Sequence, residues 1–163
     1  MGMYTGLRFK GIVKPEYREM IKEINDGADW SDFAEKFPFL TNYASLDRAE
    51  FIPRGSLAYM PDSWEEGKFP NQEATDGFER NIDLKTGYWT FQCSLKNYNQ
   101  EIQQFFSEVL LEIIDSVDHI EYYYEEWARS KFYELKDGKI VNSDRKGILY
   151  GYEGEEENSY WGY

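Results

Sequence analysis

Cys93 and His119 are the only cysteine and histidine in the chain, so thiol and imidazole catalysis has a single possible pair. Cys93 alternates in phase with Trp89, Phe91 and Leu95, which predicts a thiol on a buried strand face, where apolar surroundings suppress the thiolate. His119 follows Asp118 at a predicted helix-to-strand junction and reads as a solvated or capping residue. Soft nitrogen and sulfur donors are too scarce for a zinc site. Gly151 and Gly154 lack the helix and lysine of a phosphate-binding loop. No catalytic residue, metal or cofactor is assigned.

Carboxylates could serve as general acids or bases. Glu121, Tyr123, Glu125 and Trp127 would share one face of a strand, and two acids beside aromatic rings could flank a glycosidic bond. Acids spaced this way arise readily by chance in so acidic a chain. An enzyme or small-ligand, glycan-like binder, with strand 119–127 and the loop of residues 39–77 as its pocket, is therefore the second reading.

The first reading comes from charge. Between Lys96 and Arg129 stand eight acids, Glu101, Glu108, Glu112, Asp115, Asp118, Glu121, Glu125 and Glu126, and no Lys or Arg. Glu101, Glu108, Glu112 and Asp115 are spaced to share the polar side of one helix, where like charges cost stability. Such a face either keeps the protein soluble or meets a basic partner. Aromatics are the second unusual feature. Tyr122, Tyr123, Tyr124 and Trp127 crowd one segment, and the tail of residues 153–163 mixes acids with Tyr160, Trp161 and Tyr163. Tyr and Trp carry much of the energy where proteins meet, so Trp64 in the loop of residues 62–77 and Trp161 in the tail are expected as anchors. The candidate partner-binding set is Glu101, Glu108, Glu112, Asp115, Glu121, Glu125, Trp64 and Trp161.

The elements that would position these residues follow from periodicity. Residues 4–13 alternate as a first strand. Pro15 opens a helix over residues 15–25, and Asp29 caps a second, two-turn helix that Pro38 ends. Residues 56–60 read as a strand, and residues 62–77 as a mobile surface loop. Residues 78–84 and 87–95 form a hairpin. Ile102, Phe105, Phe106, Val109, Leu110, Ile113 and Ile114 recur at helical spacing, predicting a long amphipathic helix over residues 99–117. Strands at 119–127, 130–135 and 139–142, the last two joined by Asp137-Gly138, and an edge strand at 148–152 complete the pattern. The fold class is α+β: a mainly antiparallel sheet with the long helix across one face, in one domain spanning residues 1–163.

Composition sets the outer limits. The 163 residues include 18 Lys plus Arg against 31 Asp plus Glu, a formal charge of −13, and aromatics make up 18%. So much large apolar surface predicts a folded chain, and one cysteine forms no internal disulfide. The negative charge argues against direct nucleic-acid binding, no apolar run reaches the ~20 residues needed to span a bilayer, and no secretory leader is visible. The expectation is a small acidic cytoplasmic module that binds a basic protein target stoichiometrically, as an inhibitor or immunity-type protein of the kind bacteria, plasmids or phages use.

Overall fold

A computed structural model describes residues 3–65, without the Glu65 side chain, and 77–151. Six antiparallel strands form one sheet in the order β2-β3-β1-β4-β5-β6: β1 (Thr5–Val13), β2 (Asn81–Ile82), β3 (Tyr88–Leu95), β4 (Ile114–Tyr124), β5 (Arg129–Lys136) and β6 (Lys139–Leu149). Central β1 pairs with β3 on one side and β4 on the other, placing Leu7 beside Cys93 and Tyr122, and Phe9 beside Phe91 and Ile120. Because strand side chains alternate, these residues define one face, and Arg8, Gln92 and Glu121 define the other.

The expected helix forms, but it is shorter and less regular than its spacing suggests. It runs from α4 (Glu101–Gln104) through a π-helical stretch (Phe105–Leu110) into α5 (Leu111–Ile113). Ile114 already has extended dihedrals and begins β4. Its apolar stripe is buried as expected: Ile102, Phe105, Val109, Leu110 and Ile113 have no exposed surface. Phe105 meets Trp30, Tyr43, Trp89 and Phe91 at ring-centroid distances of 5.8, 5.7, 6.4 and 6.5 Å. Cys93 lies fully buried beneath this layer, and burial pushes its thiol far above the ordinary range.

Between β1 and β2 the chain forms α1 (Arg18–Asn25), α2 (Thr41–Ala44) and α3 (Phe51–Arg54). The expected second helix reduces to a 3-10 turn at Trp30–Phe33 with an Asp29/Asp32 capping box. Residues 56–60 form no strand: Met60 N–H closes a turn onto Leu57 C=O at 3.0 Å, and Ser56 is instead tied to Ser94 of β3. The strand expected at 78–84 shrinks to β2. In contrast, β6 takes in the short strand expected at 139–142 and the first two residues of that expected at 148–152; Tyr150 and Gly151 lie beyond it and Tyr152 outside the described residues. Asp137 and Gly138, at φ 52° and 76°, form the tight turn that this dipeptide favours.

The segment containing Leu57, Met60 and Trp64 covers part of the second sheet face. Gly6 permits this approach, since a Cβ there would lie 2.2 Å from Met60 Sδ and 2.7 Å from Trp64 Cζ3. Residues 62–65 of the expected loop form a 3-10 turn. Residues 66–76 of that loop, and the tail of residues 153–163, lie outside the described residues.

Candidate functional site

The acidic window divides into withdrawn and presented carboxylates. Glu101 is fully buried, against the expectation of an exposed face. In the first turn of α4 its carboxylate turns back to accept Asn99 N–H at 3.1 Å and stands 3.9 Å from Arg48 Nη1. The Asn99 amide lies just ahead of the helix, whose own Ile102 N–H donates to Asn97 Oδ1 at 2.9 Å, and this local bonding withdraws Glu101 in spite of its heptad-like spacing. Glu108 is half-buried and accepts both of its bonds from Asn42 Nδ2 at 2.9 Å. Glu112 is exposed at the helix end, and Asp115 is exposed on β4 rather than on the helix.

Among the described residues neither Glu112 nor Asp115 takes part in an ion pair. Acids and bases both stand at this strand end, where Lys14 N–H bonds Ile113 C=O and the Arg18 guanidinium bonds the Val13 and Lys85 carbonyls. Partial burial, then Glu16 and Glu112, raise the Tyr17 phenol, and partial burial, then Asp118, raise that of Tyr88. These groups surround the end of β1, where Ile12 pairs with Tyr88 and Ser116.

Glu121 is likewise fully buried, because its place on β4 turns it onto the covered second face. Its Oε2 accepts hydrogen bonds from Ser130 Oγ and Tyr150 OH, each at 2.7 Å. Its Oε1 stands 3.9 Å from Arg8 Nη1 and 3.6 Å from His119 Nε2, too far for direct hydrogen bonds. Burial alone would push this carboxyl up. The His119, Ser130 and Tyr150 dipoles and the Arg8 charge outweigh burial and hold it below the usual range.

The surroundings of this centre are aromatic. The Arg8 guanidinium lies 4.6 Å from the Trp64 ring and 4.5 Å from Phe78. His119 packs between Phe78 and Phe132 at 5.0 and 5.3 Å, so it is a strand residue in an aromatic slot rather than a solvated cap. Trp64, expected as an exposed anchor, is 1% exposed and donates from Nε1 to Tyr150 OH at 2.9 Å.

Strand 119–127 and the loop of residues 39–77 therefore do converge, Glu121 and Tyr123 facing Trp64. The intended groove is nevertheless filled by the protein's own rings and hydroxyls. Trp127 lies past the end of β4 and packs on Tyr122 and Tyr124, so it does not share the face of Glu121. Glu125 is half-buried, accepts a bond from Tyr4 N–H, and returns its own N–H to Tyr4 C=O at 3.1 Å. Trp161 lies outside the described residues.

Sequence reasoning missed Arg8 as the partner of Glu121. The available signal was a lone arginine within the apolar-rich run of the first strand, since a buried cation requires a counter-charge. Among the described residues no group of three His, Cys, Asp or Glu side chains could hold a metal ion, and no helix is long and apolar enough to cross a membrane. The chain matches no protein-family model, no curated protein and no solved structure.

Proposed function

We propose that the protein is a small cytoplasmic binding module that acts stoichiometrically, as an inhibitor or immunity-type protein, on a basic protein target. The observation that carries this reading is the pair Glu112 and Asp115, exposed and without ion pairs among the described residues. Glu16 and Asp118 extend the anionic surface, and half-buried Glu108 adds to it from the helix, whereas Glu125 stands beside Tyr4 at the opposite end of β4. Exposed carboxylates left without partners in the free protein add nothing to its fold, yet they steer a cationic surface and pair with it.

The charge distribution sharpens this polarity. Residues 129–149 carry six Lys and Arg against three acids, whereas residues 97–128 carry eight acids and no Lys or Arg. Of those eight acids, Glu112, Asp115, Asp118 and Glu126 are exposed, and only exposed charges act on an approaching target.

The test is capture of proteins from the source cell on immobilised wild type and on the Glu112→Lys/Asp115→Lys variant. Wild type should retain a basic protein that elutes as salt rises. The variant should fold with an unchanged melting temperature and associate with that protein at least tenfold more slowly at low ionic strength, the difference shrinking with salt. Equal association rates would refute the reading.

A further inference from the structure

Tyr59 is the most exposed large hydrophobic residue among those described, at 69%, and it occupies a backbone conformation that a bulky side chain avoids, with φ 64°. A left-handed conformation costs a non-glycine residue stability, and so exposed a ring recovers little of it by burial. The strain is held in a pinned turn. Ser94 N–H and Oγ bond Ser56 C=O at 2.7 and 2.9 Å, Ser94 Oγ also reaches Ala58 C=O at 3.0 Å, and Leu57 and Met60 on either side are buried. Tyr59 is therefore a fixed projection, its ring inclined against Tyr4 at a centroid distance of 5.2 Å.

The neighbouring rings indicate what this projection accepts. Tyr4 carries the ammonium of Lys96 at 5.8 Å, and Tyr98, itself 44% exposed, carries the guanidinium of Arg48 at 5.2 Å. Tyr59 shares the exposed aromatic surface with Tyr4 yet carries no cation among the described residues. Aromatic faces are negative and attract guanidinium and ammonium groups. Glu126, exposed just past the end of β4, adds negative charge at the sheet end where Tyr4 enters.

We propose that Tyr59 is an anchor of the partner interface, its ring receiving an arginine or lysine side chain of the bound protein in the position that Lys96 takes on Tyr4. This inference rests on the basic-target reading and adds to it a specific, salt-resistant contact away from Glu112 and Asp115. A rigid aromatic on a preorganised turn loses little entropy on binding, which is what an anchor requires.

The test uses a fluorescein-labelled nona-arginine peptide, with binding read by anisotropy at 50 and 300 mM NaCl. Tyr59→Ala should weaken binding about fivefold at both salts, the effect of one cation–π contact of about 1 kcal/mol. Tyr59→Phe keeps the ring face and should bind like wild type. Tyr59→Gly relieves the positive φ, so it should melt no lower than wild type while binding as weakly as Tyr59→Ala, a combination that a purely structural role would not produce. Glu112→Lys/Asp115→Lys should weaken binding at 50 mM and much less at 300 mM. The anchor is overturned if Tyr59→Ala binds like wild type, if Tyr59→Phe loses as much as Tyr59→Ala, or if wild type does not bind the peptide. An unaffected charge-reversal variant beside a weakened Tyr59→Ala would overturn the acidic-surface reading and leave the anchor standing.

Discussion

Replacing Glu121 by Ala should destabilise the protein by about 3–5 kcal/mol, the usual cost of removing one partner from a buried charge pair. The structure accounts for that magnitude. Ser130 Oγ and Tyr150 OH each lose an acceptor at 2.7 Å, and a buried donor left without a partner costs about 1–3 kcal/mol. Arg8, 4% exposed, loses the carboxylate 3.9 Å away. Its stacking between Trp64 and Phe78 persists and keeps the loss within this range rather than beyond it. Against a total stability of about 5–15 kcal/mol, the variant should remain folded at pH 7 with a much lower midpoint. Urea unfolding followed by tryptophan fluorescence measures the difference directly.

Acid should erase part of that difference. The folded Glu121 carboxyl titrates below its ordinary value, and in the unfolded chain it titrates near 4.3. Between the two values the unfolded state binds more protons, so stability rises with pH. The contribution is fully present above about pH 4.3 and is lost as pH falls through the folded value. The gap between wild type and Glu121→Gln should therefore be constant from pH 5 to 7 and narrow below about 4.3. A Glu121→Ala variant within 1 kcal/mol of wild type, or a gap that widens in acid, would refute the assignment of Glu121 as an ionised, internally bonded carboxylate.

Phe105→Ala should cost about 3–5 kcal/mol in the same unfolding measurement, because the ring is fully buried among four other aromatic rings; a loss under 1 kcal/mol would mean that the helix does not hold the core. Cys93 should react with a thiol reagent far more slowly in the native protein than in urea, since the thiol is buried and its ionisation is suppressed; comparable rates would place it at the surface.

The strand pattern was legible wherever one sheet face is apolar. Trp89, Phe91, Cys93 and Leu95 alternate because β3 lies beneath the helix on one side, and the Asp137-Gly138 turn announced its hairpin through backbone chemistry alone. Helix length was not legible. Ile114 continues the apolar spacing, and a buried position on a strand beginning at that point satisfies the same spacing as one more helical turn. Residues 39–65 were opaque for another reason: Leu40, Tyr43, Ile52 and Trp64 are buried on short turns, none long enough to establish a period.

The acidic window misled in an instructive way, because a count of like charges carries no direction. Glu101 and Glu121 contribute to the count but not to the surface, one bonding the Asn99 amide just ahead of a helix and the other facing Arg8 across a strand pair. Charge reversal at Glu108 would likewise break its bonds with Asn42, so it would confuse folding with recognition. Glu112 and Asp115 remain as the informative pair. Their carboxylates do no work in the free protein that the described residues disclose, and reversing them should move association without moving the unfolding midpoint.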